Sequence, residues 1–213
     1  MLQYYQEMKH SVKDALSHFK TADPVLYQVA ISLELQDLAP HDNYFLELYD
    51  SIVSQQLSVK AAGTIMGRLK KLYPNEEITP EHTLKLDAQT MRDAGNSFAK
   101  IKYLKDLSIR VVDGRLKLDR FKDLPEEEIM KELLLVNGIG PWTAEMFIMF
   151  SLGRPDVFSY GDQGLKNAMR TIYKLEDRPT LEEALAISGK WSPYRTYACK
   201  ILWKSLDNMP SVS

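Results

Sequence analysis

Two places in the sequence set chemistry-bearing groups at helix ends. The first is Gly138-Ile139-Gly140 in VNGIGPWTA (136–144), between the helical runs EEEIMKELLL and AEMFIMFSL. A glycine inside a helix costs about 1 kcal/mol relative to alanine, so the pair marks a turn between two helices. Pro141 then opens the second helix as an N1 proline, which leaves the amides from Gly138 to Thr143 outside the helical ladder. Amides at the positive end of a helix dipole suit a phosphate oxygen, and glycine lets a ligand approach the backbone. A tight helical hairpin that needs positive φ and binds nothing uses the same residues, and the turn alone leaves both uses open. A dinucleotide fingerprint is excluded, because a helix precedes the glycines and no third glycine follows. The second place is Asp162 in GRPDVFSYGDQGLKNAMRTIY, at the mouth of the next helix. Taken alone, an aspartate there is an N-cap.

The elements that position these groups are all helical. Asp23-Pro24, Thr79-Pro80, Pro125, Thr180 and Ser192-Pro193 read as helix starts, and Thr180 with Glu183 forms a capping box. Gly95 and Gly114 read as stops. Apolar spacing predicts helices near 2–19, 24–36, 42–55, 59–72, 80–85, 88–94, 98–112, 125–136, 141–152, 163–173, 180–189 and 193–206. A short extended piece fits DGRLKLDRF, but no alternating run is long enough for a sheet. The fold class is all-α.

Composition narrows the function classes. The chain has 213 residues, 45% hydrophobic and 26% charged, which is ordinary for a globular protein with a proper core. No apolar run is long enough for a membrane span and MLQYYQEMKHS lacks a signal-peptide core, so no membrane partner is expected and a cytoplasmic or nuclear location is. The lone Cys199 rules out an internal disulfide and a four-cysteine iron–sulfur cluster, and reads as a small core residue. His10, His18, His41 and His82 are scattered, which argues against zinc. Net charge is −2, but residues 51–125 carry 14 basic and 9 acidic side chains and residues 151–213 carry 9 and 7. Residues 1–50 carry 3 and 8, and residues 126–150 carry 1 and 5. Solvated helix surface is the simpler account of this asymmetry; one electropositive face is the other.

The two features occur together as L-x-x-V-x-G-I-G-x-W-T-A followed by D-V-F-x-x-x-D-x-G-L. With this pair the chain resembles the helix-hairpin-helix (HhH-GPD) DNA glycosylases, most of all the 3-methyladenine DNA glycosylase II branch. The resemblance extends to SIVSQQLSVKAA (51–62), similar to the family's wedge-bearing segment, to DAGNSFAKIKYLKDL (93–107) and to KWSPYRTYACKILW (190–203). It covers roughly residues 20–206.

The resemblance implies a two-lobed helical enzyme without the N-terminal β-domain of longer relatives. Residues 1–50 with 153–213 would form one lobe and 51–152 the other, ending in the hairpin at about 126–152, with a cleft that receives a nucleotide flipped from damaged double-stranded DNA. Asp162 matches the catalytic aspartate, which stabilises the positive charge developing on the sugar and orients or deprotonates the attacking water. Asp156 belongs to the preceding turn and reads as structural. Trp142 stands where lyase-capable relatives carry a nucleophilic lysine, so a monofunctional enzyme is expected. Trp142, Tyr194, Tyr160 and Trp191 are candidates for an aromatic base pocket, suited to cationic alkylpurines. Met146 stands at a pocket position that is aromatic in some relatives. Gln56 falls at the wedge position. Gly138, Ile139, Gly140, Trp142 and Thr143 would hold the DNA backbone. No cofactor is required for catalysis, and the carbonyls of Leu134, Val136 and Ile139 would hold a structural Na⁺ or K⁺. The expected substrates are 3-methyladenine and 7-methylguanine, with ethenoadenine or hypoxanthine after them, and the expected assembly is a monomer. A glycosylase for oxidised or deaminated bases and a non-catalytic DNA-binding module are the alternatives. Asp162 with aromatics around it favours an enzyme over the module.

Overall fold

The computed structural model describes residues 11–207, so His10 and residues 2–10 of the expected first helix lie outside it. Among the described residues there is no strand, and the chain is all-α. In chain order the helices are α1 (Val12–Ala22), α2 (Pro24–Ala30), α3 (Tyr44–Ser54), α4 (Val59–Lys70), α5 (Pro80–Lys85) and α6 (Ala88–Asp93). There follow α7 (Phe98–Val112), α8 (Glu126–Leu134), α9 (Pro141–Met146), α10 (Gln163–Ile172), α11 (Leu181–Ser188) and α12 (Arg195–Asp207). The caps explain the boundaries. Asp23, Asn43, Ser58, Thr79, Asp87, Ser97, Asp162 and Thr180 each accept from an amide of the following first turn. Gly95 and Gly114 end helices at φ +116° and +75°. The piece expected to be extended contains a 3₁₀ turn instead, Leu118–Arg120.

The chain divides into two compact units, 41–147 and 1–40 with 148–213. The first boundary sits earlier than the expected 50/51 because α3 packs on α4 and α7, and the second falls at 147/148 instead of 152/153. Phe45, Leu48, Tyr49, Ile52 and Val53 form its buried stripe at helical spacing. In the same unit α5 and α6 pack on α7, and α8 packs on α9. Tyr49, Tyr73 and Thr83 satisfy one another through buried hydroxyls at 2.9 Å.

The other unit is built on α12, which packs against α10 and α2 and buries Tyr197, Ala198, Cys199, Ile201 and Leu202. The expected helix 24–36 stops at Ala30 although its apolar spacing continues. Glu34, Gln36 and Leu38 instead give backbone groups to side chains of the same unit. Lys200 and Lys204 donate to the carbonyls of Gln36 and Glu34, and Leu38 N–H donates to the Tyr197 hydroxyl. Asp23 is buried and takes the Tyr173 hydroxyl at 2.6 Å and the Trp191 indole at 2.9 Å on one oxygen. Burial, reinforced by Asp23, drives the Tyr173 phenol far above its ordinary value.

Candidate active site

In the 41–147 unit the hairpin joins α8 to α9. Gly138 has φ +86°, and a Cβ there would fall 2.3 Å from the Tyr103 ring. The group that approaches this glycine is therefore a side chain of α7. Asn137 N–H donates to Asp106 Oδ2 at 2.8 Å, an oxygen that also accepts from Arg110 Nε at 2.9 Å, so α7 fixes the turn twice. Ile139 N–H donates to Val136 O at 3.1 Å, which removes this amide from the set expected to point outward. Gly140 differs. It is the N-cap of α9, offers no side-chain cap, and has open space where a Cβ would stand.

The turn after α3 is bound to this hairpin. Gln55 Nε2 donates to Gly138 O at 2.8 Å. Lys100 Nζ donates to the carbonyls of Val53 and Gln55, both at 2.7 Å, closing the carboxyl end of α3. Burial lowers the Lys100 amine below the ordinary lysine value. These contacts give the 93–107 motif a physical reading: Ser97 caps α7 and Lys100 reaches back to α3. Gln56 stands exposed at φ +58°, an uncommon backbone for a non-glycine residue. Gln56, Leu57, Trp142, Thr143 and Met146 line one cavity of about 380 Å³, with Trp142 50% exposed. The structure thus brings together the expected wedge and two expected pocket residues.

The other unit holds the remaining candidates. Asp162 is half-buried at the start of α10, and its Oδ1 accepts Leu165 N–H at 2.8 Å and Trp203 Nε1 at 3.1 Å. Trp203 was legible only as the end of the C-terminal motif. Its link to Asp162 spans 41 residues, and nothing in the local pattern encodes it. Tyr160 is half-buried, with the Lys166 ammonium 4.0 Å from its ring centre. Tyr194 is buried among His18, Phe19 and Tyr197 and keeps 8% of its surface exposed. The pocket role expected for Trp191 is corrected. Its side chain is 0% exposed, donates to Asp23 and packs on Phe158 and Tyr173, so it is core. Asp156 is 5% exposed and tied by Arg195 through Nε at 2.8 Å and Nη2 at 3.0 Å, with Ser192 Oγ at 2.8 Å.

An all-helical chain with a glycine hairpin between two helices, and an N-capping aspartate at the start of the next, has the framework of a helix-hairpin-helix protein. The chain belongs to the HhH-GPD superfamily of base excision DNA repair proteins, whose sequence profile matches residues 50–193. It is 36% identical over 162 residues to YfjP of Bacillus subtilis, an alignment covering 73% of this chain and 56% of that protein. The chain therefore spans little more than half the length of that relative. The crystal structure of DNA-3-methyladenine glycosidase from Bacillus halodurans superposes with a TM-score of 0.82 at 35% identity, covering 90% of this chain and 88% of that one. The Schizosaccharomyces pombe 3-methyladenine DNA glycosylase in complex with abasic DNA gives 0.77 at 30% identity, covering 91% and 97%.

Proposed function

We propose that the protein is a monofunctional DNA glycosylase that removes alkylated purines, 3-methyladenine and 7-methylguanine first, from double-stranded DNA. The observation that carries this reading is Asp162, fixed at the mouth of α10 by a backbone amide and an indole. The names of the related structures support it. Breaking the N-glycosidic bond leaves positive charge on the sugar, and a carboxylate held in place stabilises that charge without reorganising. The same carboxylate orients the water that adds to the sugar carbon as the base departs. The target nucleotide has to leave the stack first, and Gln56 fills the gap. Trp142 and Met146, in the cavity beside Gln56, contact the extruded base.

Trp142 supplies no amine at the position where lyase-capable relatives carry lysine, so no Schiff base forms and the strand stays intact. The amides of Gly140, Trp142 and Thr143 take a phosphate at the start of α9, which has no side-chain cap. A Na⁺ or K⁺ fits the neutral carbonyl oxygens of Leu134, Val136 and Ile139. Those of Leu134 and Val136 lie at the negative end of α8, and the Val136 oxygen keeps a second lone pair beside the Ile139 N–H. The ion steadies the phosphate grip and takes no part in hydrolysis. The protein acts as a monomer where DNA lies, in a bacterial nucleoid or a nucleus.

The test is excision from duplexes containing 3-methyladenine, 7-methylguanine, ethenoadenine, hypoxanthine and 8-oxoguanine, with separate readouts for free base and strand breaks. Base release from the alkylpurines without strand cleavage is expected. Borohydride trapping of a covalent protein–DNA adduct during turnover would sink the monofunctional assignment, and release of 8-oxoguanine alone would sink the alkylpurine specificity.

A further inference from the structure

Gly164 lies in the first turn of α10, where its backbone φ is not left-handed. Glycine is the poorest helix former after proline, so its presence needs a reason other than conformation. The reason is space. A Cβ at this position would stand 3.0 Å from Asp162 Oδ1, 3.4 Å from Trp203 Cδ1 and 3.5 Å from Trp203 Nε1. The indole of Trp203 reaches the carboxylate across the room that the missing side chain leaves.

We propose that Trp203 is a positioning residue for Asp162 and that Gly164 exists to admit it. An N-cap bond alone leaves a carboxylate able to exchange its oxygens by turning about its terminal bond. Here two donors, Leu165 N–H and Trp203 Nε1, meet on the same oxygen. The second comes from α12, whose neighbouring residues Ile201 and Leu202 are fully buried, and the indole itself packs against Phe150 with ring centres 6.0 Å apart. The plane of the carboxylate is thereby referred to the core of the unit instead of to the first turn of its own helix. Both donors are neutral N–H groups, so they set direction without cancelling charge. The proposal rests on Asp162 being the catalytic carboxylate.

The experiment uses DNA treated with dimethyl sulfate and follows release of methylated purines under single-turnover conditions at saturating protein. Trp203→Phe keeps a ring against Phe150 and removes the N–H; Gly164→Ala keeps Trp203 and crowds the contact. Each is expected to slow excision by about 10–100-fold, the worth of a hydrogen bond to a charged group. The dissociation constant for an abasic duplex should stay within about twofold, and Gly164→Ala should melt close to the wild-type temperature, because alanine's helix preference opposes the crowding by its Cβ. In the Asp162→Asn background Trp203→Phe should cost nothing further, a non-additivity that a purely structural tryptophan would not show. Wild-type excision rates in both single variants would overturn the proposal. So would a loss confined to DNA affinity, or an equal loss with and without Asp162. If instead Asp162→Asn excises at the wild-type rate, or the wild type releases no base, the catalytic reading itself fails and the proposal falls with it.

Discussion

Asp156 and Asp162 lie six residues apart with one side-chain chemistry, and the structure uses them differently. The first is buried, and the Arg195 guanidinium grips both of its oxygens while Ser192 and the Arg195 amide add two more donors. Its charge is neutralised where it stands and ties the 154–157 segment to the start of α12. The second is half-buried, and the two donors on its Oδ1, an amide and an indole, are both neutral. The same division runs through other like pairs. Trp191 is core while Trp142 is half exposed. Gly138 is pressed on by Tyr103, while nothing stands where a Cβ of Gly140 would be. A residue's partners, more than its type or its neighbours in sequence, decide whether it holds the fold or faces a ligand.

The contrast is broken most directly at the carboxylates. Asp162→Asn should lower single-turnover excision by about 10²–10³-fold, the usual cost of losing one preorganised electrostatic group. Stability should change by less than about 1 kcal/mol, because asparagine caps as well as aspartate. Denaturant titration alongside the rate assay checks both, and an unimpaired rate would remove Asp162 from catalysis. At the hairpin, Gly138→Ala should destabilise by about 3 kcal/mol, from a left-handed φ and a displaced tyrosine ring. Gly140→Ala should cost less than about 0.5 kcal/mol in the same titration; equal losses would erase the distinction between the two glycines. Asp156→Asn should cost about 2 kcal/mol of stability, less than a fully buried pair because Arg195 is partly exposed. Its excision rate per folded molecule should match the wild type. The smallest effect belongs to Gln56→Ala, about 1 kcal/mol in base extrusion or fivefold in rate. A fluorescent base analogue would report that deficit, and a lesion already held out of the stack should show none.

Much of this was readable in advance. Local signals set the helices, because caps, prolines and apolar spacing act within a turn or two, and the Thr180–Glu183 box is present as expected. The local pattern marks Asp162 only as an N-cap, and its catalytic role comes from the resemblance carried by the paired motifs. The errors lie where distant residues compete for the same group. The apolar period continues through Leu33 and Leu35 past the end of α2, but backbone groups of Glu34, Gln36 and Leu38 are claimed by Lys204, Lys200 and Tyr197. The resemblance offers Trp191 as a pocket candidate, and residue type alone does not tell an aromatic that faces a ligand from one bonded to a buried carboxylate. The Trp203–Asp162 bond and the Tyr103 ring over Gly138 lie between segments far apart in sequence, and no periodicity carries such information.

Exposed turns ordinarily accept inserted residues, but tolerance follows from how the backbone is bonded and not from exposure alone. The side-chain bonds that tie the turn after α3 to α7 and the hairpin all run through Gln55. Gln55 is bonded to Gly138 by its side chain and to Lys100 by its carbonyl, whereas Leu57 and Ser58 lie exposed just ahead of α4. A residue added between Ser54 and Gln56 would break both attachments and pull the turn away from the hairpin. One added after Leu57 would leave them in place. Insertions in this stretch are therefore expected to be better tolerated on the α4 side.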